Sequence, residues 1–391
     1  MALHRPKIVA QTLATLRERC LMTAEDAAHF GGFSSVERYL KVESGERYPT
    51  KNQVDRLAKR FDVPVWYFFL EDIEEDEMPI PSFRRRPTAP SRDAYLELAA
   101  VREAARRRQI TLDTLADLGE EAPTFDAQSN VATDPEVAAR YVRDVLNIRT
   151  GQPASFRNSD QAYLALRVAV EAAGVLVFHF SLPSISGFAL FEPVLPIIGV
   201  STSERSGTAR QFTLAHELGH IALRDSAIHS ASTRYSAAEE EWCNRFAGAL
   251  LVSAEDLAQS EEVASQGRDA IWTKGEITRL AGVFHVSPSM LARRLRDTGY
   301  MLSDVADNLI PELDTVWASV RRESVREESG DPMYYDVNLA AWGYYAPSVI
   351  EQGYSCGVIA EADLPDIIGA KVSTSLEFMR RVAVRPRNAF H

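Results

Sequence analysis

The chain has 391 residues, enough for two or three domains and a sizeable core, with 46% hydrophobic and 25% charged residues. Its formal net charge of -12 excludes a nucleic-acid binder held by whole-molecule charge, though not one basic domain within it. The three cysteines, Cys20, Cys243 and Cys356, are too few and too scattered for a disulfide framework or a cysteine metal cluster.

Residues 7 to 70 read as a compact all-helical unit. Ile8 to Leu21 is amphipathic, Thr23 can cap a short helix through Phe30, and Ser34 or Ser35 can cap a third. Gly45 stops that third helix, with Pro49 beyond it. Lys51 to Phe61 gives a fourth, with Val54, Leu57, Ala58 and Phe61 inward. Pro64 suits the first turn of a fifth, aromatic helix from Val63. The stretch Glu43-Ser44-Gly45-Glu46-Arg47-Tyr48-Pro49 and the aromatic fifth helix resemble the helix-turn-helix domain of XRE-type phage repressors. That resemblance implies a recognition helix from about Ser34 to Ser44, with Ser35, Arg38 and Lys41 as the groups facing duplex DNA. The chain departs from the pattern by one extra residue between Thr23 and Glu43, and by Gly31-Gly32 where an apolar anchor is expected. The competing reading is a helical module that docks protein instead of DNA.

The acidic run Glu71 to Glu77 and the proline-rich stretch that follows, with Arg84, Arg85 and Arg86, read as a linker. Asp93 to Leu118, Val131 to Leu146 and Asp160 to Ala173 have helical spacing, and Gly174 ends the last of them. Val175 to Phe180, Phe188 to Phe191 and Ile197 to Val200 are expected to form a small antiparallel sheet, with His179 structural.

His216-Glu217-Leu218-Gly219-His220 follows, on a helix that Ser206 or Thr208 can cap. Two histidines four apart stack on one face, close enough to share a metal ion, and Glu217 beside them can serve as general base. Catalytic zinc needs a third protein ligand. Ser236 and Glu239 have the form of a capping box opening a second helix, on which Cys243, Phe246, Ala247, Leu250 and Leu251 share a buried face. Glu239 and Glu240 both lie near that face and Glu241 points away. If Glu239 serves the cap, Glu240 is the free inward carboxylate, with Asn244 one turn on to orient a histidine.

Four linked stretches carry a further resemblance: Ile185 to Leu190, Leu195 to Val200, Arg210 to His220, and Glu240 to Ala247. Together they resemble the ImmA/IrrE family of metallopeptidases, over roughly residues 160 to 255. The resemblance implies a gluzincin-like site with His216, His220 and Glu240 as metal ligands and Glu217 as the catalytic glutamate. Cys243 stands where the family usually has alanine. The family also implies a narrow protein substrate, typically a repressor or antitoxin, which in similar zinc peptidases pairs with a strand such as residues 197 to 202.

Downstream, Lys274 to Phe284 and Pro288 to Thr298, capped at Ser287, have a helix-turn-helix pattern with Arg293, Arg294 and Arg296 on one basic side. A helical hairpin that closes the peptidase domain is the preferred reading, and residues 302 to 391 carry no motif. The predicted fold is multidomain α+β. An N-terminal all-α helix-turn-helix domain spans residues 1-72 and a linker 73-92. A zinc metallopeptidase domain spans 93-300, and a helical C-terminal region 301-391. The expected cofactor is one Zn2+ per chain, with Mn2+ as the alternative. Tyr235 and His229, between the two metal helices, are candidate oxyanion donors. The absence of a long apolar run and of a signal-peptide core predicts a cytoplasmic protein without membrane contact. The alternative function is a transcription regulator whose peptidase-like domain binds or senses without cutting.

Overall fold

The computed structural model of the chain describes residues 5–71, 91–224, 227–228, 237–327 and 341–384. The linker from Asp72, Arg84 to Arg86, His229, Tyr235 and Ser236 lie outside the described residues. The chain is mostly helical and folds as two compact units. The first takes the described part of Met1–Glu103 with Ser181–Ser184; the second takes Ala104–Phe180 and the described residues from Ile185 onward.

The first unit is built from α1 (Ala10–Arg19), α2 (Ala24–Gly31), α3 (Val36–Glu43), α4 (Lys51–Phe61) and the start of α5 (Arg92–Leu118). Thr23, Ser35 and Thr50 cap α2, α3 and α4, each accepting a backbone N–H from the first turn. Leu13, Leu16, Tyr39, Val42, Leu57 and Phe61 form its core. The expected fifth helix is a 3-10 segment, Val65–Phe69, with Pro64 at its N-cap. Its aromatic run can bury Tyr67 and Phe68 in one tight turn, and that leaves no use for a longer helix. At the Gly31-Gly32 step, Gly32 adopts φ +72, and the ring of Phe33 fills the space a side chain at Gly31 would need. Phe33 then meets Tyr39 edge-on at 5.3 Å, so it supplies the anchor missing from α2.

The second unit continues with α6 (Pro135–Val145), capped by Asp134, and α7 (Ser159–Ala172), capped by Asn158. Its sheet holds β1 (Leu176–Phe180), β2 (Gly187–Leu190), β3 (Ile197–Ser201) and the two-residue β4 (Ala227–Ile228), in the order β1-β3-β2-β4. The sheet is mixed, not antiparallel as expected. β2 pairs antiparallel with β3 and β4, and β1 pairs parallel with β3, Leu176 opposite Ile197. The chain leaves β1, skips one strand position into β2 and turns back, so β3 fills the gap and must run parallel to β1. Every residue of β1, β2 and β3 is buried, the pattern of a sheet covered on both faces. Both edges of β3 are therefore occupied, and it cannot be the strand that an extended substrate pairs with.

α8 (Gly207–Ala222) and α9 (Ala237–Leu251) pack against each other and on this sheet's core. Short α10 (Ala254–Gln259) and α11 (Glu261–Gln266) lead to α12 (Lys274–Phe284) and α13 (Pro288–Asp297), the expected hairpin, capped at Thr273 and Ser287. After α14 (Ser303–Glu327) come α15 (Tyr345–Ser355), α16 (Leu364–Ile368) and α17 (Val372–Ala383). Trp342, Ile350, Leu364, Phe378 and Met379 give these last helices a core of their own. They are tied to α7 by Glu171, which is ion-paired to Arg167 at 2.9 Å and accepts the backbone N–H groups of Tyr344 and Tyr345 at 2.7 Å.

Candidate metal centre

α8 starts where Ser206 accepts the N–H of Ala209, and nearly all of its residues from Gln211 onward are buried. A helix so enclosed can present polar groups only to an internal site. His216 is 8% exposed, Glu217 2% and His220 0%. α9 crosses α8 closely because Gly219 lacks a side chain. A Cβ there would lie 3.1 Å from the Phe246 ring and 3.2 Å from Cys243 Sγ. Cys243 thus fits the crossing as a small residue. Phe246 stacks on Trp242 at 5.2 Å, and the Trp242 indole donates to the Thr133 carbonyl at 2.7 Å, fixing the rotation of α9.

That rotation turns Glu240 and Asn244, four apart on α9, toward α8. Asn244 Oδ1 lies 3.1 Å from His216 Nδ1. An amide oxygen only accepts, so the proton sits on Nδ1 and leaves the Nε2 lone pair free for the site. His216 Nε2 and His220 Nε2 are 3.3 Å apart. Glu240 offers Oε2 at 3.5 Å from His216 Nε2 and Oε1 at 3.7 Å from His220 Nε2. Ligand atoms of His216, His220 and Glu240 all fall within 4.8 Å of one another. Two bonds of about 2.05 Å at a tetrahedral angle span about 3.3 Å, so these separations suit a zinc-sized ion. Two imidazoles and one carboxylate are also the donor set of an open zinc site, whereas magnesium and calcium favour all-oxygen sets.

Glu217 lies against β2. A Cβ at Gly187 would fall 2.9 Å from Glu217 Oε1 and 2.7 Å from Thr213 Cγ2, so only glycine leaves this carboxylate its place. Burial first, then the negative charge of Glu240, pushes the Glu217 carboxyl well above its ordinary value. A cation between the histidines would oppose that shift and favour a carboxylate able to accept a proton. Gly187 falls within the stretch that carries the family resemblance, yet no spacing rule marks it; only its approach to Glu217 gives it a role.

Of the sequence-predicted residues, His216, Glu217, His220, Glu240 and Asn244 come together. Tyr235 and His229 lie outside the described residues. His179 stands apart, with Tyr163 Oη 2.5 Å from its Nε2. Burial, with Arg167 and Arg210, holds His179 well below its usual value, so it is a neutral acceptor for the tyrosine. In the first unit Ser35 caps α3, and Arg38 and Lys41 are exposed on that helix. Among the described residues no helix is long and apolar enough to cross a membrane. Comparison with curated proteins and with solved structures returns no match. Residues 170–296, which contain the whole cluster, match the family model of the M78 peptidases, described as the IrrE N-terminal-like domain.

Proposed function

We propose that this chain is a zinc-dependent metalloendopeptidase coupled to a DNA-binding regulator module, and that it cleaves a specific repressor or antitoxin-type protein. The observation that carries the reading is the convergence of His216, His220 and Glu240 beside a buried Glu217. A zinc ion held there supplies a Lewis acid and lowers the pKa of water toward neutrality. His216 is kept in the ligating tautomer by Asn244. Glu217 takes the proton of the attacking water as the scissile carbonyl is attacked, then delivers it to the leaving amine. His216, Glu217 and His220 are buried while Glu240 is partly exposed, so the site opens to solvent on the α9 side.

The regulator half of the reading rests on α3. Tyr39 and Val42 anchor it in the core while Arg38 and Lys41 face outward, the arrangement a helix needs to meet phosphates and base edges. Two assays test the proposal. Zinc-loaded protein is incubated with the repressor-like proteins encoded beside its gene, and products are read by mass spectrometry. A single discrete cut, absent with Glu217→Gln, is expected; the same cut by that variant would remove Glu217 from the mechanism, and no cut in any of them would favour a sensor. Duplex binding by the full chain is then measured against salt. Arg38→Ala with Lys41→Ala should flatten the log-log slope by about two units, and an unchanged slope would make the helical unit a docking module.

A further inference from the structure

A second feature lies in the first unit, away from the metal cluster in sequence and in chemistry. A cavity of about 550 Å³ is lined by Arg56, Lys59 and Arg60 of α4 and by Arg102 of α5, with only Asp62 and Glu103 opposing them. That volume falls in the range of small-molecule sites and exceeds what one inorganic ion fills. Its wall is aromatic: Phe30 and Tyr95 have ring centroids 5.6 Å apart, and Arg60 stacks on Phe30 at 4.5 Å.

Arg102 is the informative residue. It is 4% exposed, yet it makes no ion pair with a carboxylate among the described residues. Its terminal nitrogens reach Cys20 Sγ at 3.3 and 3.4 Å and the Phe61 carbonyl at 3.5 Å, and its Nε has no hydrogen-bond partner. Burial raises the Cys20 thiol, so the sulfur is a neutral neighbour and not a counter-ion. Among the described residues, a buried guanidinium with an unused donor, at a cavity carrying four cations against two carboxylates, lacks an anion.

We infer that this cavity binds a small phosphorylated molecule, its phosphate held by Arg102, Arg56 and Lys59 and its organic part resting on Phe30 and Tyr95. Phosphate offers the several oxygens that guanidinium forks pair with, and it balances the excess charge. A backbone phosphate of duplex DNA carries the same group, but a rigid duplex does not reach an arginine this deeply buried. The site would give the helical unit an effector of its own, beyond the peptidase and DNA readings.

Titration calorimetry on the full chain tests this with three phosphorylated probes, inorganic phosphate, phenyl phosphate and AMP, and with phenol and adenosine as controls. Phenyl phosphate or AMP should bind saturably, and its dephosphorylated partner at least about tenfold more weakly, the loss of one charge-assisted contact. Arg56→Glu with Lys59→Glu, both exposed, should weaken binding by about tenfold or more while circular dichroism stays unchanged. Arg102→Gln should do the same, and the exposed pair decides if that variant does not fold. No binding of any phosphorylated probe overturns the inference, as does binding that ignores these substitutions. Weakening confined to a DNA duplex would assign the cluster to the nucleic-acid backbone and also overturn it.

Discussion

Glu217 depends for its position on one glycine of the neighbouring strand. Its carboxylate is buried between β2 and the histidines, and Gly187 leaves room that a single methyl group would take. Gly187→Ala should therefore move the carboxylate while the histidines and Glu240 keep the metal, at some cost in stability, because the added Cβ would also lie 2.9 Å from the Gly199 carbonyl on β3. Because misplacement by an ångström costs on the order of a hundredfold in rate, cleavage by Gly187→Ala should fall by about that factor at unchanged metal content. Normal cleavage would mean that Glu217 does not act from this position. The His-Glu-x-x-His spacing makes the two imidazoles and Glu217 legible from sequence alone, since helical geometry puts residues four apart on one face. Choosing Glu240 over Glu239 needs a cap argument about Ser236, which is outside the described residues; the observed distances from Glu240 to both histidines are independent of it. Gly187 is not legible in this way, because a glycine's importance lies in what approaches it.

At the scale of elements, the centre depends on one crossing. α8 and α9 touch through Gly219, Cys243 and Phe246, and that contact sets where Glu240 and Asn244 point. Gly219→Ala inserts a methyl group at 3.1–3.4 Å from these neighbours. Overpacking of that kind costs about 1–3 kcal/mol. The variant should thus unfold at a lower temperature and hold zinc less tightly; unchanged melting and affinity would show that the crossing tolerates more than its geometry indicates. Helices and several of their caps are readable, as Thr23, Ser206 and Ser287 each mark a start, whereas periodicity alone begins α6 at Val131, ahead of its actual cap Asp134. The sheet is not. Apolar runs such as Leu176–Phe180 and Ile197–Ser201 carry the same signal whether they pair parallel or antiparallel. Only the chain path, which puts β3 between β1 and β2, decides it. The aromatic run after Pro64 likewise reads as helix by composition, but its packing needs only one 3-10 turn.

For the molecule as a whole, stability in the second unit includes buried polar pairs that respond to pH. Tyr163, fully enclosed and hydrogen-bonded to His179, is pushed up from 10.0 to about 12 by burial. A folded-state value above the unfolded one means the native chain keeps its proton longer. That contribution is complete below about pH 10, and it is lost as pH rises from there through about 12. Two units correspond to something on the order of 2–3 kcal/mol. Melting temperature followed from pH 9 to 12 should fall steeply for the native chain and less steeply for Tyr163→Phe; parallel curves would remove this tyrosine from the alkaline transition. The C-terminal helices, whose sequence offers no motif, owe their attachment to Glu171 and to Gly343, where a side chain would strike that carboxylate. Such a clamp draws on residues more than a hundred and fifty positions apart, and no local pattern announces it.

The central claim is that His216, His220 and Glu240 hold one metal ion and Glu217 does not. Metal content, measured by mass spectrometry on the native chain and on Glu217→Gln, Glu239→Gln and Glu240→Gln purified alike, tests it most directly. The account predicts about one equivalent of zinc in the native chain, in Glu217→Gln and in Glu239→Gln, and loss of most of it in Glu240→Gln. Full zinc in Glu240→Gln with loss in Glu239→Gln or Glu217→Gln would contradict it.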